Sequence, residues 1–154
     1  MKKDKLTVQR NIDQVTYCLV DTTEEDNNIT IEANYGYTFL GKVVLQEEKN
    51  ISFILEDDLT VDQIYELFPE DTALIISTLE IDEIYKGIGL GNLLMKQAIY
   101  YALGSEFKQM FLNASPYGFN KLPLWILEKF YEKYGFVTFL NQKTNKFMIL
   151  NLNI

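Results

Sequence analysis

Histidine is absent from this chain of 154 residues, and there is one cysteine, one arginine and one tryptophan. Without histidine there is no Ser-His-Asp or Cys-His catalysis and no His-ligated metal site. Any general base has to be Asp, Glu, Tyr, Lys or water. A lone cysteine, Cys18, excludes an intramolecular disulfide framework. It fits a reducing cytoplasm and a small core residue. No apolar run reaches the ~18 residues that a membrane span needs. The N-terminal MKKDKLTVQR is basic but lacks the apolar stretch of a secretory signal. Basic residues are also scarce, 14 against 22 acidic ones, for a net charge of −8. That balance argues against nucleic acid as the main partner and favours a cationic one.

What is present is apolar and aromatic. Hydrophobic residues make up 47% of the chain, with ten Tyr and ten Phe, so a real core is expected. With no repeat, low-complexity tract or linker, residues 1–154 read as one domain. In chain order the pattern predicts strands near Leu6–Gln9, over Val15–Thr22, Ile29–Asn34 and Thr38–Leu45, and a returning strand Ile51–Leu55. Turns are expected at Glu24–Asn28 and Glu47–Asn50. Thr60 and Gln63 form a capping box that opens a helix over Val61–Leu67. Further strands are expected over Thr72–Ile81 and Lys108–Asn113. A helix over Gly91–Leu103 carries Leu90, Leu94, Ala98 and Tyr101 on its core face. Pro123 opens a helix running to about Tyr134, and a closing hairpin joins Phe136–Leu140 to Lys146–Leu152. The sum is an α+β pattern around a mixed, mostly antiparallel sheet.

The chain is organised around LEIDEIYKGIGLGNLLM, Leu79 to Met95. A strand enters, glycines follow at alternate positions 87, 89 and 91, and an amphipathic helix leaves. Glycine has no Cβ, so its amides approach a large anion without steric cost. The helix start adds about half a positive charge. Strand, glycine turn and helix start together make a phosphate cradle. It is not a P-loop, because GxxxxGK[ST] is missing. Nor is it a dinucleotide fingerprint, because Asn92 stands where the third glycine belongs. The spacing that fits is basic-x-x-Gly-x-Gly: Lys86, Gly89, Gly91. Downstream, FYEKYGF spans Phe130 to Phe136.

These two motifs resemble those of the GNAT superfamily of acyl-CoA N-acyltransferases. Lys86 stands where that family usually has Arg or Gln, and FYEKYGF looks like its helix-end LYEKLGF. The resemblance covers about residues 72–152. It implies a three-layer α/β/α domain with acetyl-CoA as co-substrate, no metal, and a primary amine of a small molecule or protein as acceptor. It admits a homodimer. Cofactor contacts are implied at Leu79, Ile81, Lys86, Gly87, Ile88, Gly89, Leu90, Gly91 and Asn92. Leu124 stands where many members carry a cofactor-binding Asn; Asn113 or Asn120 is the candidate stand-in. Tyr131 matches the Tyr that often lies near the CoA sulfur and protonates the leaving thiolate. The departures at Lys86 and Leu124 leave room for an alternative, a catalytically silent acidic binding protein.

Acetyl transfer to an amine needs a neutral amine, a held oxyanion and a leaving thiolate that is protonated or tolerated as it departs. For the base, Glu80 is the first candidate, on the strand entering the loop. Asp82 and Glu83 are expected to point away, since their charge would repel phosphate. Glu70 and Asp71 are weaker candidates.

Overall fold

The computed structural model describes residues 19–116 and 122–152. The expected strand near Leu6–Gln9, Cys18 and Asn120 lie outside the described residues. Seven strands are hydrogen-bonded in the order β1-β2-β3-β4-β5-β7-β6. They are β1 Leu19–Glu25, β2 Asn28–Tyr35, β3 Thr38–Glu48, β4 Ala73–Ile81, β5 Gln109–Ala114, β6 Val137–Asn141 and β7 Lys146–Asn151. The helices are α1 Ile51–Leu55, α2 Val61–Leu67, α3 Leu90–Leu103 and α4 Leu124–Glu132. The fold is α+β with a mixed sheet. β1 and β2 run antiparallel, β4 and β5 parallel, and β7 antiparallel to both β5 and β6. The chain divides into two compact units, 1–45 with 77–101 and 46–76 with 102–154.

In the first unit, β2 buries Ile29, Ile31 and Ala33 at period two. Helix α3 buries Leu90, Leu94, Met95 and Ala98 at helical spacing. Tyr101, expected on that core face, is instead half-buried, and its hydroxyl donates to Glu24 Oε1 at 2.7 Å. The β1–β2 turn is tighter than expected. Strand continues through Glu25, and only Asp26 (φ 49°) and Asn27 (φ 67°) turn. Two left-handed residues in a row match the twist of a two-residue hairpin, so Glu24, Glu25 and Asn28 stay paired.

In the second unit, the expected strand Ile51–Leu55 is a helix. Ile51 and Leu55, four apart, are both fully buried, which suits helical rather than alternating spacing. The preceding Asn50 makes no side-chain cap. The cap comes from a distant residue: the Asp71 carboxylate accepts from the Ser52 amide at 2.7 Å and from the Ser52 hydroxyl at 3.0 Å. Asp71 is held for this in a left-handed conformation, φ 57°. It is therefore a structural cap, and its carboxylate is already committed. The Thr60–Gln63 capping box forms as expected. The core gathers Ile51, Leu55, Ile64, Phe68, Ala73, Phe111 and Ile149. Phe111 stacks on Phe147 at 5.5 Å and meets the edge of Phe68 at 6.0 Å.

Helix α4 is tied to the β6–β7 hairpin through Glu128. Its carboxylate accepts from Thr138 Oγ1 at 2.6 Å and pairs with Lys146 Nζ at 2.8 Å. The bond from Lys146, then that from Thr138, holds its pKa below the usual carboxylate value. Because the folded value is depressed, the stabilisation is present above about pH 4.5 and is lost as pH falls through the folded pKa. Glu128→Gln is expected to cost about 1 kcal/mol at pH 7. It should also flatten the loss of stability below pH 4.5, as read by denaturant titrations across pH.

Candidate active site

The site is built from the end of β4. Asp82 N–H donates to Leu40 O at 2.8 Å, which anchors the strand exit to β3. The Asp82 side chain accepts from the Ile84 amide at 3.1 Å and caps a single 3-10 turn, Glu83–Tyr85, that the sequence pattern did not show. Tyr85 is fully buried. Lys86 is then extended, and Gly87 (φ 82°) and Gly89 (φ 94°) are left-handed. Between and after them, Ile88 and Leu90 are buried, 7% and 1% exposed. The loop therefore alternates: side chains of 88 and 90 anchor it inward, while Gly87 and Gly89 are exposed.

Gly89 O accepts from Leu93 N–H at 3.1 Å, the first turn of α3. A Cβ built on Gly89 would meet nothing within 4 Å, so open space adjoins its backbone. Helix geometry leaves the amides of Leu90 and Gly91 without an intrahelical acceptor. The first turn of α3 holds no acidic residue. Open space beside Gly89 and the positive end of a 14-residue helix fit an anionic diphosphate.

The flanking charges are arranged differently from the simplest expectation. Glu83 does not point away from the loop; its carboxylate pairs with Lys86 Nζ at 2.8 Å. A surface pair of this kind is worth about 0–1 kcal/mol. Glu80 is half-exposed and lies 3.9 Å from Lys42 Nζ on the neighbouring strand. The sequence reading missed Gly41. A Cβ there would come within 2.6 Å of Glu80 O and 3.0 Å of Ile81 Cδ1. Only glycine lets β3 lie this close to the stretch of β4 that carries Glu80. Leu79 is half-buried beside it and Ile81 is buried.

The remaining candidates belong to the second unit. Asn113 Oδ1 accepts from Asn145 Nδ2 at 2.8 Å, so it serves the turn before β7. Leu124 opens α4 and is half-buried. FYEKYGF ends that helix. Tyr134 N–H bonds to Tyr131 O and Gly135 N–H to Glu132 O, both at 3.0 Å. Gly135 (φ 98°) then terminates the helix in the left-handed region, and Phe136 is buried. Tyr131 is half-buried, its ring edge-on to Phe130 at 5.2 Å and to Phe136 at 6.1 Å. Burial pushes its phenol up to about 12. Its hydroxyl makes no hydrogen bond among the described residues.

No protein-family model and no curated protein sequence matches the chain. Solved structures do. The ribosomal-protein-S18-alanine N-acetyltransferase of Escherichia coli superposes with a TM-score of 0.56 at 11% identity, over 85% of this chain and 73% of that one. The PaiA N-acetyltransferase of Thermoplasma acidophilum, in complex with coenzyme A, gives 0.54 at 13%, over 81% and 61%. The KacTA–DNA complex gives 0.58 at 15%, over 84% and 70%. The chain has the GNAT fold.

At such identities the likeness is one of fold. Against that GNAT frame, Leu79 to Asn92 fall on one continuous strand–turn–helix. Among the described residues no group of three or more carboxylates or thiols is placed to hold a metal, and no helix is long and apolar enough to cross a membrane. The backbone at Gly41 gives a direct check. Gly41→Ala is expected to destabilise the protein by about 1–3 kcal/mol, measured by thermal unfolding, whereas alanine at exposed Thr78 should change stability by under about 0.5 kcal/mol.

Proposed function

We propose that this chain is an acetyl-CoA-dependent N-acetyltransferase acting on a primary amine by direct attack. The observation that carries this reading is the left-handed, open-faced Gly87–Gly89 turn feeding an α3 start free of acid. Amides from Gly87 to Asn92, with Lys86 released from Glu83, would hold the diphosphate. Bound there, acetyl-CoA supplies an acyl group already activated as a thioester.

The chain's own residues then have three tasks. Backbone amides of β4 near Leu79 and Ile81 stabilise charge on the acyl oxygen. Glu80, directly or through water, accepts a proton from the attacking amine as the N–C bond forms. Tyr131 donates a hydrogen bond to the sulfur as the C–S bond breaks. With a pKa near 12 its proton is retained throughout the physiological range. Full transfer to a thiolate whose acid has a pKa of about 8.5 would run uphill. In this reading Tyr131 stabilises the thiolate by hydrogen bonding, and the proton released by the amine balances the step.

An acceptor that is cationic before it loses its proton suits a chain of net charge −8. The β1–β4 face offers an open polar recess of about 360 Å³ lined by Thr23, Glu25, Asp26, Asn28, Thr30, Val44 and Ser77, whose carboxylate and hydroxyl oxygens favour an ammonium group. DNA is outside this reading on charge, although one structure of the same fold is a DNA complex. The Lys86–Glu83 pair favours the second reading, a silent acidic binder, in which the lysine stays committed.

The deciding experiment is thiol release from acetyl-CoA across a panel of amines, with thermal shift by CoA alone. The transferase reading expects both; the silent-binder reading expects no turnover with any amine. Gly89→Glu should abolish the CoA shift, because a carboxylate would enter the cradle and a side chain would strain φ 94°. An unchanged CoA affinity would remove the loop assignment.

Tyr131→Phe should lower turnover by about 10- to 100-fold while sparing CoA affinity. Because the phenol titrates near 12, the wild-type rate should show no alkaline decline from Tyr131 up to pH 10. A decline near pH 10 that Tyr131→Phe removes would contradict the burial argument.

A further inference from the structure

Charge in this protein is concentrated rather than spread. Between residues 51 and 71, seven of 21 side chains are acidic and none is basic. No Lys or Arg occurs between Lys49 and Lys86. This segment is the α1–α2 pair. Its inward face is accounted for: Ile51, Leu55, Ile64 and Phe68 are fully buried. Its outward face is not polar throughout. Phe53 is 72% exposed, Val61 62%, Tyr65 44% and Ile54 40%. Val61 and Tyr65, four residues apart, share one side of α2.

Two of the seven carboxylates have structural tasks, Asp71 on Ser52 and Asp58 accepting from Gln142 at 3.2 Å. The other five, Glu56, Asp57, Asp62, Glu66 and Glu70, have no ion-pair or hydrogen-bond partner among the described residues. Four aromatic and aliphatic side chains left in water on two successive helices, interspersed with carboxylates of one sign, have the composition of an interaction face. The sign of the rim selects the occupant. A second copy would set acid against acid. Anionic lipid and nucleic acid are repelled for the same reason.

We propose that the outward α1–α2 face docks a basic polypeptide segment, one that sets Lys or Arg against Glu56, Asp57, Asp62 and Glu66 and seats apolar side chains on Phe53 and Tyr65. This goes beyond the transferase reading and stands whether or not that reading holds, since its test needs neither acetyl-CoA nor turnover.

The test uses the full chain and a labelled synthetic amphipathic peptide of leucine and lysine, read by fluorescence anisotropy. A version with glutamate for lysine and a lysine-only version serve as comparisons. Binding is expected for the leucine–lysine peptide, none for the acidic version, and a weaker, more salt-sensitive interaction for lysine alone. Glu56→Lys/Asp57→Lys/Asp62→Lys should weaken binding about tenfold. Phe53→Ser/Tyr65→Ser should weaken it by a similar factor, and both sites are exposed enough for the variants to stay folded, checked by circular dichroism. Amide shifts in a ¹⁵N-labelled sample should concentrate within residues 51–71. Unchanged affinity in both variants, or shifts centred elsewhere, would overturn the proposal. So would a concentration-dependent dimer abolished by Phe53→Ser/Tyr65→Ser, because the occupant would then be a second copy.

Discussion

The left-handed backbone at Gly87 and Gly89 is the constraint on which the rest of the site depends. Two residues at φ 82° and 94° cannot carry side chains without strain. Ile88 and Leu90, set between and after them, are pulled into the interior. The result is a loop whose apolar side chains fix it and whose glycines face outward. Hydrophobic burial at 88 and 90 thus holds in place the amides that an anion would meet. Had the glycines been at 88 and 90, the same composition would have given a loop with nothing to hold it.

The downstream motif shows how one short string serves two ends. Gly135 at φ 98° stops α4, and a Cβ there would come within 3.1 Å of Leu150 Cδ1. Phe136 is buried at once and starts the return toward β6. Lys133, whose ammonium lies 5.0 Å over the Phe130 ring, joins the same aromatic group. These packing demands alone would keep most of FYEKYGF. Tyr131 is the member whose polar atom they leave over, since its ring is packed by Phe130 and Phe136 while its hydroxyl has no acceptor among the described residues. A phenol half-buried with no assigned partner is the part of the motif that packing does not explain.

Where local chemistry decided the structure, the sequence was readable. Thr60 and Gln63 form their capping box because both partners lie within one helical turn. The glycine turn and α3 follow from spacing alone, as do β2, β5 and the closing hairpin. Where a distant residue decided it, the sequence misled. Ile51–Leu55 has strand-like composition, and it is helical because Asp71, 19 residues on from Ser52, caps it. No window of residues around Ile51 contains that carboxylate. Tyr101 was placed on the core face by periodicity, but Glu24, 77 residues away, draws its hydroxyl outward. Nothing in the sequence around Gly41 marks it; its reason is the backbone of Glu80 across the sheet, visible only once β3 and β4 are paired.

Charge placement binds these observations together. An acidic chain that is to hold a polyanion has to keep its carboxylates from the cradle. Residues 84–105 contain no Asp or Glu, and their charged side chains are Lys86 and Lys96. Glu83, just before this stretch, is neutralised by Lys86 at 2.8 Å. The opposite holds over residues 51–71, where seven acids meet no base. Solubility alone would be served as well by acids scattered over the surface. Segregation along the chain instead leaves one neutral-to-basic loop beside a helix start and one strongly negative helical face. Fields of this kind are screened over about 8–10 Å, so each stretch acts on what lies directly beside it.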